Sequence, residues 1–460
     1  MRADCGRNVV ASKVMPVGLK LSPAGLFSAI LEHCDTAFLL ESTEGQEKLA
    51  RYSFLGFSPA RRIALKDGVL DVDGDQLDAG DPIKMLKHEI SRSNAKSEGF
   101  TGGAVGYFSF DYFRYIERLR EIKDEVHFPD FEFGIFDDAV VFDHKSGSIN
   151  YIYHRENRLG DILAFVKDAG PSGAPFRASG MKCNVSREKY CRNVEAVKEY
   201  IRAGEVFQTV LSKRYETDFS GSMLPFYNRL KTINPSPYMY YLKFRERQIV
   251  GSSPENLIRI NGRKITSYAT IAGTRPRGKT LKEDRKLEKD LLGDEKERAE
   301  HIMLVDLTRN DVGKVAEIGT VKVPELMRIV KFSHVQHISS LVTARLDRGK
   351  DAFDAFNAIF PAGTVSGAPK IRAIEIIDRL ENSRRGPYAG AVGYFSSNGN
   401  SDFAIGLRTL FANKGKAYIQ SGGGIVYDSV PENEFQETEH KARGLLEAIS
   451  VVSNENTVNR

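Results

Sequence analysis

Four glutamates stand in two pairs, each pair three residues apart: Glu297 and Glu300 in "EKERAEH", Glu434 and Glu437 in "ENEFQETEH". That spacing puts both members of a pair on one face of a helix. Such pairs are common on solvated helix surfaces. On facing helices they would instead suit magnesium, which takes few protein carboxylates and completes its shell with water and substrate oxygens. Close to the second pair lies "SGGGIV", with Gly422, Gly423 and Gly424. Glycines within a strand cost stability unless something must approach the backbone closely. Arg408 in "GLRTL", Tyr388 in "GPYAG" and Lys441 in "HKARG" add two cations and a hydroxyl. Each alone is more often structural. With a divalent cation they outline a site for a ligand bearing two carboxylates, one on the metal and the other on a guanidinium fork and backbone N–H groups.

A competing chemistry is written at 273–280, "GTRPRGKT", which fits the G-x-x-x-x-G-K-[ST] phosphate loop. Such a cradle works through consecutive backbone N–H donors. Pro276 lies inside it and has none. The stretch 281–305 is helical in composition almost to its end, so the Asp of "IMLVDL" would sit on a helix rather than at the end of a parallel strand. A nucleotide site is therefore not expected. The loop could still meet another anion through the Thr274 hydroxyl and the close approach that glycine permits.

The elements that must position these groups are readable in outline. "VSREKYCRNVEAVKEYIRAG" (185–204) is an amphipathic helix that Ser186 can cap and Gly204 can end. A strand follows in "EVFQTVLSKRYETDF". Strand-like runs joined by Gly/Asn turns fill 384–428, and a last helix begins at Pro431. Before residue 168, alternating segments such as "AVVFDH" and "INYIYH" read as antiparallel strands. "DAGPSGAPFRASG" (168–180) has the composition of a linker. The organisation expected is 1–167, a linker at 168–183, and 184–460. The fold class expected is α+β with antiparallel sheet rather than βαβ units. The heptapeptide "GAVGYFS" occurs at both 103–109 and 390–396. Two strands solving one close-packing problem is the preferred reading over a duplication.

Composition narrows the class. The 460 residues are 41% hydrophobic, enough for a large core. A net charge of +5 with acids and bases interspersed argues against a nucleic-acid binder and leaves room for a small anionic substrate. Cys5, Cys34, Cys183 and Cys191 form no CxxC pair, so free thiols in a reducing cytoplasm are expected. No stretch approaches a membrane span.

Taken in order, "SSPENLIR", "IAGTRPRG", "ERAEHIMLVDLTRND", "HVQHI", "FPAGTVSGAPK", "GPYAGAVGYFS", "IGLRT", "SGGGIVYDSVPENEFQET" and "KA" resemble the chorismate-utilising enzymes over almost all of 185–450. The resemblance implies stacked antiparallel β-sheets flanked by helices, and a loop at 273–280 that lines a chorismate pocket. Family members that add water carry a lysine at the position of Gln208, and para-directed aminodeoxychorismate synthases carry one at Ala272. An alanine cannot attack the ring covalently. Together with "FLLESTEG" (38–45), "RYSFLGF" (51–57) and "NPSPYMYYL" (234–242), this is similar to the large subunit of the anthranilate synthases.

From that resemblance follow the site expectations. Mg2+ is held directly by Glu300 and Glu437, with Glu297 and Glu434 in support. Arg408 and Tyr388 hold the enolpyruvyl carboxylate, Gly422, Gly423, Gly424 and Lys441 complete the anion clamp, and Gly273 and Thr274 form pocket wall. Glu255 is the general acid, which burial must raise. His337 is the base of the second half-reaction, with Thr364 orienting substrate near it; a structural histidine is its alternative. A separate glutamine amidotransferase subunit supplies ammonia, so a hetero-oligomer is expected. Tryptophan inhibits at Glu41, Ser42, Pro237, Tyr238 and Met239. Two other readings stay open: an aminodeoxychorismate synthase, and a non-catalytic amino-acid-binding regulator on the same fold.

Overall fold

A computed structural model describes residues 9–42, 51–93, 95, 97, 99–170, 174–268, 271–331 and 335–458. The side chains of 9, 271, 272, 274, 335 and 454–458 also lie outside the described set, as do Cys5 and His334 entirely.

Two 12-stranded sheets form the body of the protein, and their strands pair antiparallel throughout. At the centre of the first, Gly103–Phe108 lies beside Ala391–Ser396; at the centre of the second, Thr36–Glu41 lies beside Tyr238–Phe244. One hydrophobic core is shared by both sheets. It takes Phe38, Phe54, Tyr240 and Phe244 from the second, and Phe108, Phe133, Phe395 and Phe403 from the first. Helices Pro23–His33, Leu224–Ile233 and Pro431–Val458 cover the outer face of the second sheet over a further core. A small parallel pair, Val9–Val10 with Arg92–Ser93, stands apart.

Both halves of the chain contribute to both sheets, so residue 168 does not separate two independent cores. Of the segment expected as a linker, Arg177–Cys183 is an edge strand on Gln208–Ser220. Its Gly and Ser content suits a half-exposed edge as well as a loop, and composition could not tell them apart.

The two heptapeptides turn out to be neighbours. They pair with each other about Gly106↔Gly393, so that Gly103 faces Ser396 and Phe108 faces Ala391. The order of strands outward is the same on either side. In the first sheet, Phe131–Phe136, Arg61–Lys66 and Val69–Val72 match Ser401–Ile405, Asn256–Asn261 and Lys264–Ser267. In the second, Tyr52–Phe57, Asp138–Asp143 and Ser148–Tyr153 match Arg247–Ser253, Thr409–Asn413 and Lys416–Ile425, outward from a central Leu39↔Tyr241 pair. The turn "GFSPARRIALKDG" (56–68) accordingly lies over "GSSPENLIRINGR" (251–263). The molecule is a duplicated unit with a pseudo-twofold axis through both sheet centres. This corrects the preference for coincidental packing: close packing is real, but it recurs because each half places one glycine strand on the axis. A Cβ at Gly106 would meet Glu132 O at 2.0 Å, and one at Gly393 would meet Asp402 O at 2.0 Å.

Candidate active site

The glutamate pairs lie on helices Glu295–Gly313 and Pro431–Val458. Asp294 caps the first helix by accepting from Lys296 N and Glu297 N. Pro431 opens the second. The two pairs face each other closely enough to repel. Burial, then the charge of Asp294, raises the Glu297 carboxyl, and the Glu437 charge adds to the effect. Burial and Glu297 raise Glu300. Burial and Glu437 raise Glu434. Four carboxylates held together against their own repulsion are the donor chemistry of a divalent cation. Arg275 lies 3.6 Å from Glu297 Oε1 and Lys441 lies 2.6 Å from Glu437 Oε1, and the charge of Lys296 also acts on Glu297, Glu300 and Glu434. No three His, Cys, Asp or Glu side chains among the described residues already converge as a finished ligand cage. A set of two direct carboxylates, as magnesium needs, does not require one.

The glycine strand, Lys416–Ile425, packs against helix Pro431–Val458. Gly422, Gly423 and Gly424 pair with Ser212, Leu211 and Val210. A Cβ at Gly423 would come 3.4 Å from Glu434 Oε2, and one at Gly424 would come 2.3 Å from Gln208 Nε2 and 3.6 Å from Glu300 Oε1. At Gly422 it would meet the Tyr388 hydroxyl at 2.8 Å. The absent side chains thus keep the space beside both carboxylate pairs and Tyr388 clear. Lys441 Nζ donates to Gly422 O at 3.1 Å while paired to Glu437. Gly273 has φ +66°, and a Cβ there would meet Glu297 Oε2 at 2.9 Å, so glycine is required on both counts.

Glu255 follows the strand Arg247–Ser253 and is 5% exposed. Burial pushes its carboxyl up to about 7, against hydrogen bonding from Thr364 and the charge of Lys441. Thr364 Oγ1 donates to Glu255 Oε1 at 2.8 Å. Thr364 therefore contacts the acid directly, and no bond joins it to His337 among those the structure shows. His337 Nδ1 donates to Gly273 O at 2.9 Å, which leaves Nε2 the unprotonated nitrogen of the neutral ring. Burial lowers its pKa to about 4, helped by Arg408 and Lys441. Arg408, with φ +47°, donates through Nη1 to Asn234 Oδ1 at 2.9 Å, and burial lowers its pKa.

Gln208 is a site member that sequence reasoning used only by exclusion. Its Nε2 donates to Glu300 Oε1 at 2.7 Å, its side chain is 2% exposed, and its Oε1 has no partner among the described residues. The motif 273–280 is not a phosphate cradle. Gly273–Pro276 is strand, Gly278 N donates to Asp284 Oδ1 at 2.9 Å and Lys279 N to Glu283 Oε2 at 2.8 Å. Its amides serve the protein's own carboxylates. Arg275 ties it to Asp290 and Asp294 at 2.8 and 3.0 Å. The Asp of "IMLVDL", Asp306, is helical as expected. Ala272 and Thr274 lie on the same strand with side chains outside the described set.

A separate cavity of about 490 Å³ is lined by Leu40, Glu41, Ser42, Tyr238, Met239 and Asp402, with others. Strand Thr36–Glu41 pairs with Tyr238–Phe244 so that Glu41 faces Met239. Ser42 Oγ donates to Pro237 O at 2.9 Å. Glu41 is already engaged: Lys231 Nζ donates at 2.6 Å and Tyr227 Oη at 2.5 Å.

A family model described as chorismate binding enzyme matches residues 35–447. Component 1 of the anthranilate synthase of Methanothermobacter thermautotrophicus is 48% identical over 434 residues, covering 93% of this chain and 92% of that protein. The component 1 of Thermus thermophilus is 42% identical over 443 residues, covering 94% and 96%. The crystal structure of anthranilate synthase component I from Streptococcus pneumoniae matches with a TM-score of 0.79 at 38% identity, over 88% of this chain and 93% of that one. A menaquinone-specific isochorismate synthase from Escherichia coli matches at 0.72 and 18% identity, over 96% and 95%, and speaks to the fold alone.

Proposed function

The chain belongs to the chorismate binding enzyme family, and on that premise we propose that it is the chorismate-converting lyase of an anthranilate synthase. Chorismate and ammonia become anthranilate, pyruvate and water. The observation that carries this reading over its relatives is the Gln208–Glu300 bond of 2.7 Å. Where water-adding members carry a lysine base, this chain has an amide whose donor end is committed to a glutamate. Its acceptor end, Oε1, is left to receive an N–H of ammonia.

Magnesium, held by Glu300 and Glu437 with Glu297 and Glu434 in support, would fix the ring carboxylate and neutralise its charge. Arg408 and Tyr388 bind the enolpyruvyl carboxylate, and the Gly422–Gly424 backbone with Lys441 completes the clamp. Gly273 and Thr274 wall the pocket. Glu255, protonated below about 7, gives its proton to the leaving C4 hydroxyl as ammonia adds at C2. Thr364 holds that carboxyl in place. His337 takes the C2 proton at Nε2 as the enolpyruvyl group leaves and the ring becomes aromatic. Burial keeps the ring neutral, as a base must be.

Ammonia comes from a glutamine amidotransferase partner, in keeping with the component 1 naming of the relatives. Tryptophan inhibits by occupying the 490 Å³ cavity, with Met239 and Leu40 against the indole and Ser42, Tyr238 and Glu41 around its polar end, Pro237 holding the Ser42 hydroxyl. Because Glu41 already holds Lys231, the ammonium of tryptophan shares that carboxylate rather than finding it unpaired. Incubating the chain with chorismate, magnesium and an ammonium salt tests the reading. Anthranilate fluorescence supports it, aminodeoxychorismate supports the para-directed alternative, and unchanged chorismate excludes both.

A further inference from the structure

Asn256 stands between the acid and the cavity. It follows Glu255 directly, its side chain is buried, and it does not line the cavity. Its Nδ2 reaches Tyr238 Oη at 2.8 Å, Asp402 Oδ1 at 3.2 Å and Phe403 O at 3.3 Å, and its Oδ1 accepts from Tyr268 N at 3.4 Å. Tyr238 and Asp402 are cavity wall. They are bonded to each other at 3.0 Å, and Arg259 holds the other Asp402 oxygen at 2.9 and 2.6 Å. On the catalytic side, Ile405 N donates to Glu255 O at 3.0 Å.

The backbone between the two sides is irregular where the side chain acts. Asn256 pairs with Ala404, but Ile258 pairs with Phe403, so the register shifts immediately after Asn256. A bulge of this kind re-aims the neighbouring side chains and is held open by whatever seats the bulged residue. Here that is the Asn256 amide on Tyr238 and Asp402.

The pseudo-twofold axis supplies an internal control. The mate of Asp402 is Glu132, which is fully buried between Arg62 at 3.0 Å and Arg247 at 2.7 Å, with Tyr107 at 3.3 Å. The mate of Ser42 is Phe244, whose ring lies 6.3 Å from that of Tyr107. The mate of Glu255 is Ala60, in "FSPA" against "SSPE". In one half, then, a carboxylate is closed by two arginines, a phenyl ring fills the position of Ser42, and the acid is missing. In the other, Asp402 is met by Arg259, Tyr238 and Asn256, none of them the mate of Arg62 or Arg247, the wall opens on a cavity, and the acid is present. The fold is satisfied by the closed arrangement. The departures from it fall along one line from cavity to acid.

We propose that Asn256 is a positioning residue for Glu255, and that through Tyr238 and Asp402 it couples occupancy of the cavity to placement of the acid. The coupling rests on the reading of this cavity as the tryptophan site. A ligand against Tyr238 draws on the hydroxyl that seats Asn256, the bulge shifts, and Glu255 leaves its place beside Thr364. Inhibition then requires only that tryptophan favour the shifted arrangement.

The chain contains no tryptophan, so the ligand's own fluorescence reports binding directly. The experiment measures tryptophan Kd by that signal, and chorismate kcat and KM with and without saturating tryptophan, for the wild type, Asn256→Ala and Tyr238→Phe. For Asn256→Ala the expected result is a kcat lower by about tenfold at little-changed KM, as for loss of a placement felt in the transition state. The alkaline limb of its pH profile should move by roughly half a unit or more. In both variants tryptophan still binds, while its effect on chorismate turnover shrinks at least ~5-fold, the scale of a typical coupling. Wild-type inhibition at saturating tryptophan in both variants would overturn the coupling. An unmoved alkaline limb in Asn256→Ala would overturn the positioning role. Should Asn256→Ala not fold, Tyr238→Phe, which loses only a hydroxyl, decides the coupling. A wild type that binds no tryptophan defeats the feedback reading and the coupling together, and leaves the pH profile to judge the positioning of Glu255.

Discussion

Thr364 Oγ1 donates to Glu255 Oε1 across 2.8 Å, within a pocket where burial pushes the Glu255 carboxyl up to about 7. Because the acid must be protonated to serve a leaving hydroxyl, the rate at fixed free ammonia is expected to fall as pH rises through about 7. Glu255→Gln should lose ~10²–10⁴ in kcat with its fold intact. Linkage gives a second readout. Between 4.5 and about 7 the folded state holds a proton that the unfolded state has released, so the wild type loses stability relative to Glu255→Gln as pH rises through that window. His337 acts in the opposite sense. Its folded pKa of about 4 lies below 6.5, so its contribution is present above 6.5 and is lost as pH falls toward 4. Urea melts at several pH values for the wild type, Glu255→Gln and His337→Gln would show these slopes, and flat differences would contradict the shifts.

The four glutamates pay for function with mutual repulsion. Glu300→Gln and Glu437→Gln are each expected to abolish turnover. Glu300→Gln should also melt no lower than the wild type when magnesium is absent, because it removes one of the repelling charges. Thermal melts with and without magnesium, alongside activity, check both halves. Near-normal turnover at modest magnesium in both variants would remove the metal assignment.

Gly106 and Gly393 face each other on the pseudo-twofold axis, and a Cβ on either meets backbone at 2.0 Å. Gly106→Ala and Gly393→Ala should each cost ~1–3 kcal/mol or more, since backbone cannot step aside as a side-chain tip can. Denaturant midpoints measure it. A Gly424→Ala variant makes the contrast, because there the 2.3 Å neighbour is the movable Gln208 amide. It should lose activity before it loses stability.

Ser42 lines the 490 Å³ cavity, at a position where its symmetry mate is Phe244. Ser42→Phe should therefore fill the cavity as the other half is already filled, and leave an active enzyme that tryptophan does not inhibit. Chorismate saturation curves at several tryptophan concentrations test this. Equal inhibition of variant and wild type would place the inhibitor elsewhere.

What could be read in advance was local in sequence. The i, i+3 glutamates and the cap at Ser186 each depend on a few adjacent residues and a known period, whereas the approach of "LLES" to "SPYM" was implied by the family resemblance. The links across the chain were not legible. Nothing in the sequence joins Thr364 to Glu255, or Gln208 to Glu300, until the sheets bring them within hydrogen-bonding distance. The duplication was nearly hidden as well. Only the axial strands of the first sheet keep an identical string, where backbone crowds backbone; elsewhere the halves share strand order over different side chains. The strand Arg177–Cys183 passed for linker because an exposed edge tolerates the residues that loops prefer.

The central claim is that this chain places the nitrogen of ammonia on the ring carbon beside the carboxylate and releases pyruvate. Incubation with chorismate, magnesium and 15N-ammonium, followed by NMR of the products, tests it most directly. The account predicts anthranilate carrying 15N ortho to the carboxylate, with one pyruvate for each. Nitrogen at the para position, a hydroxylated ring with no 15N, or chorismate left unchanged would contradict it.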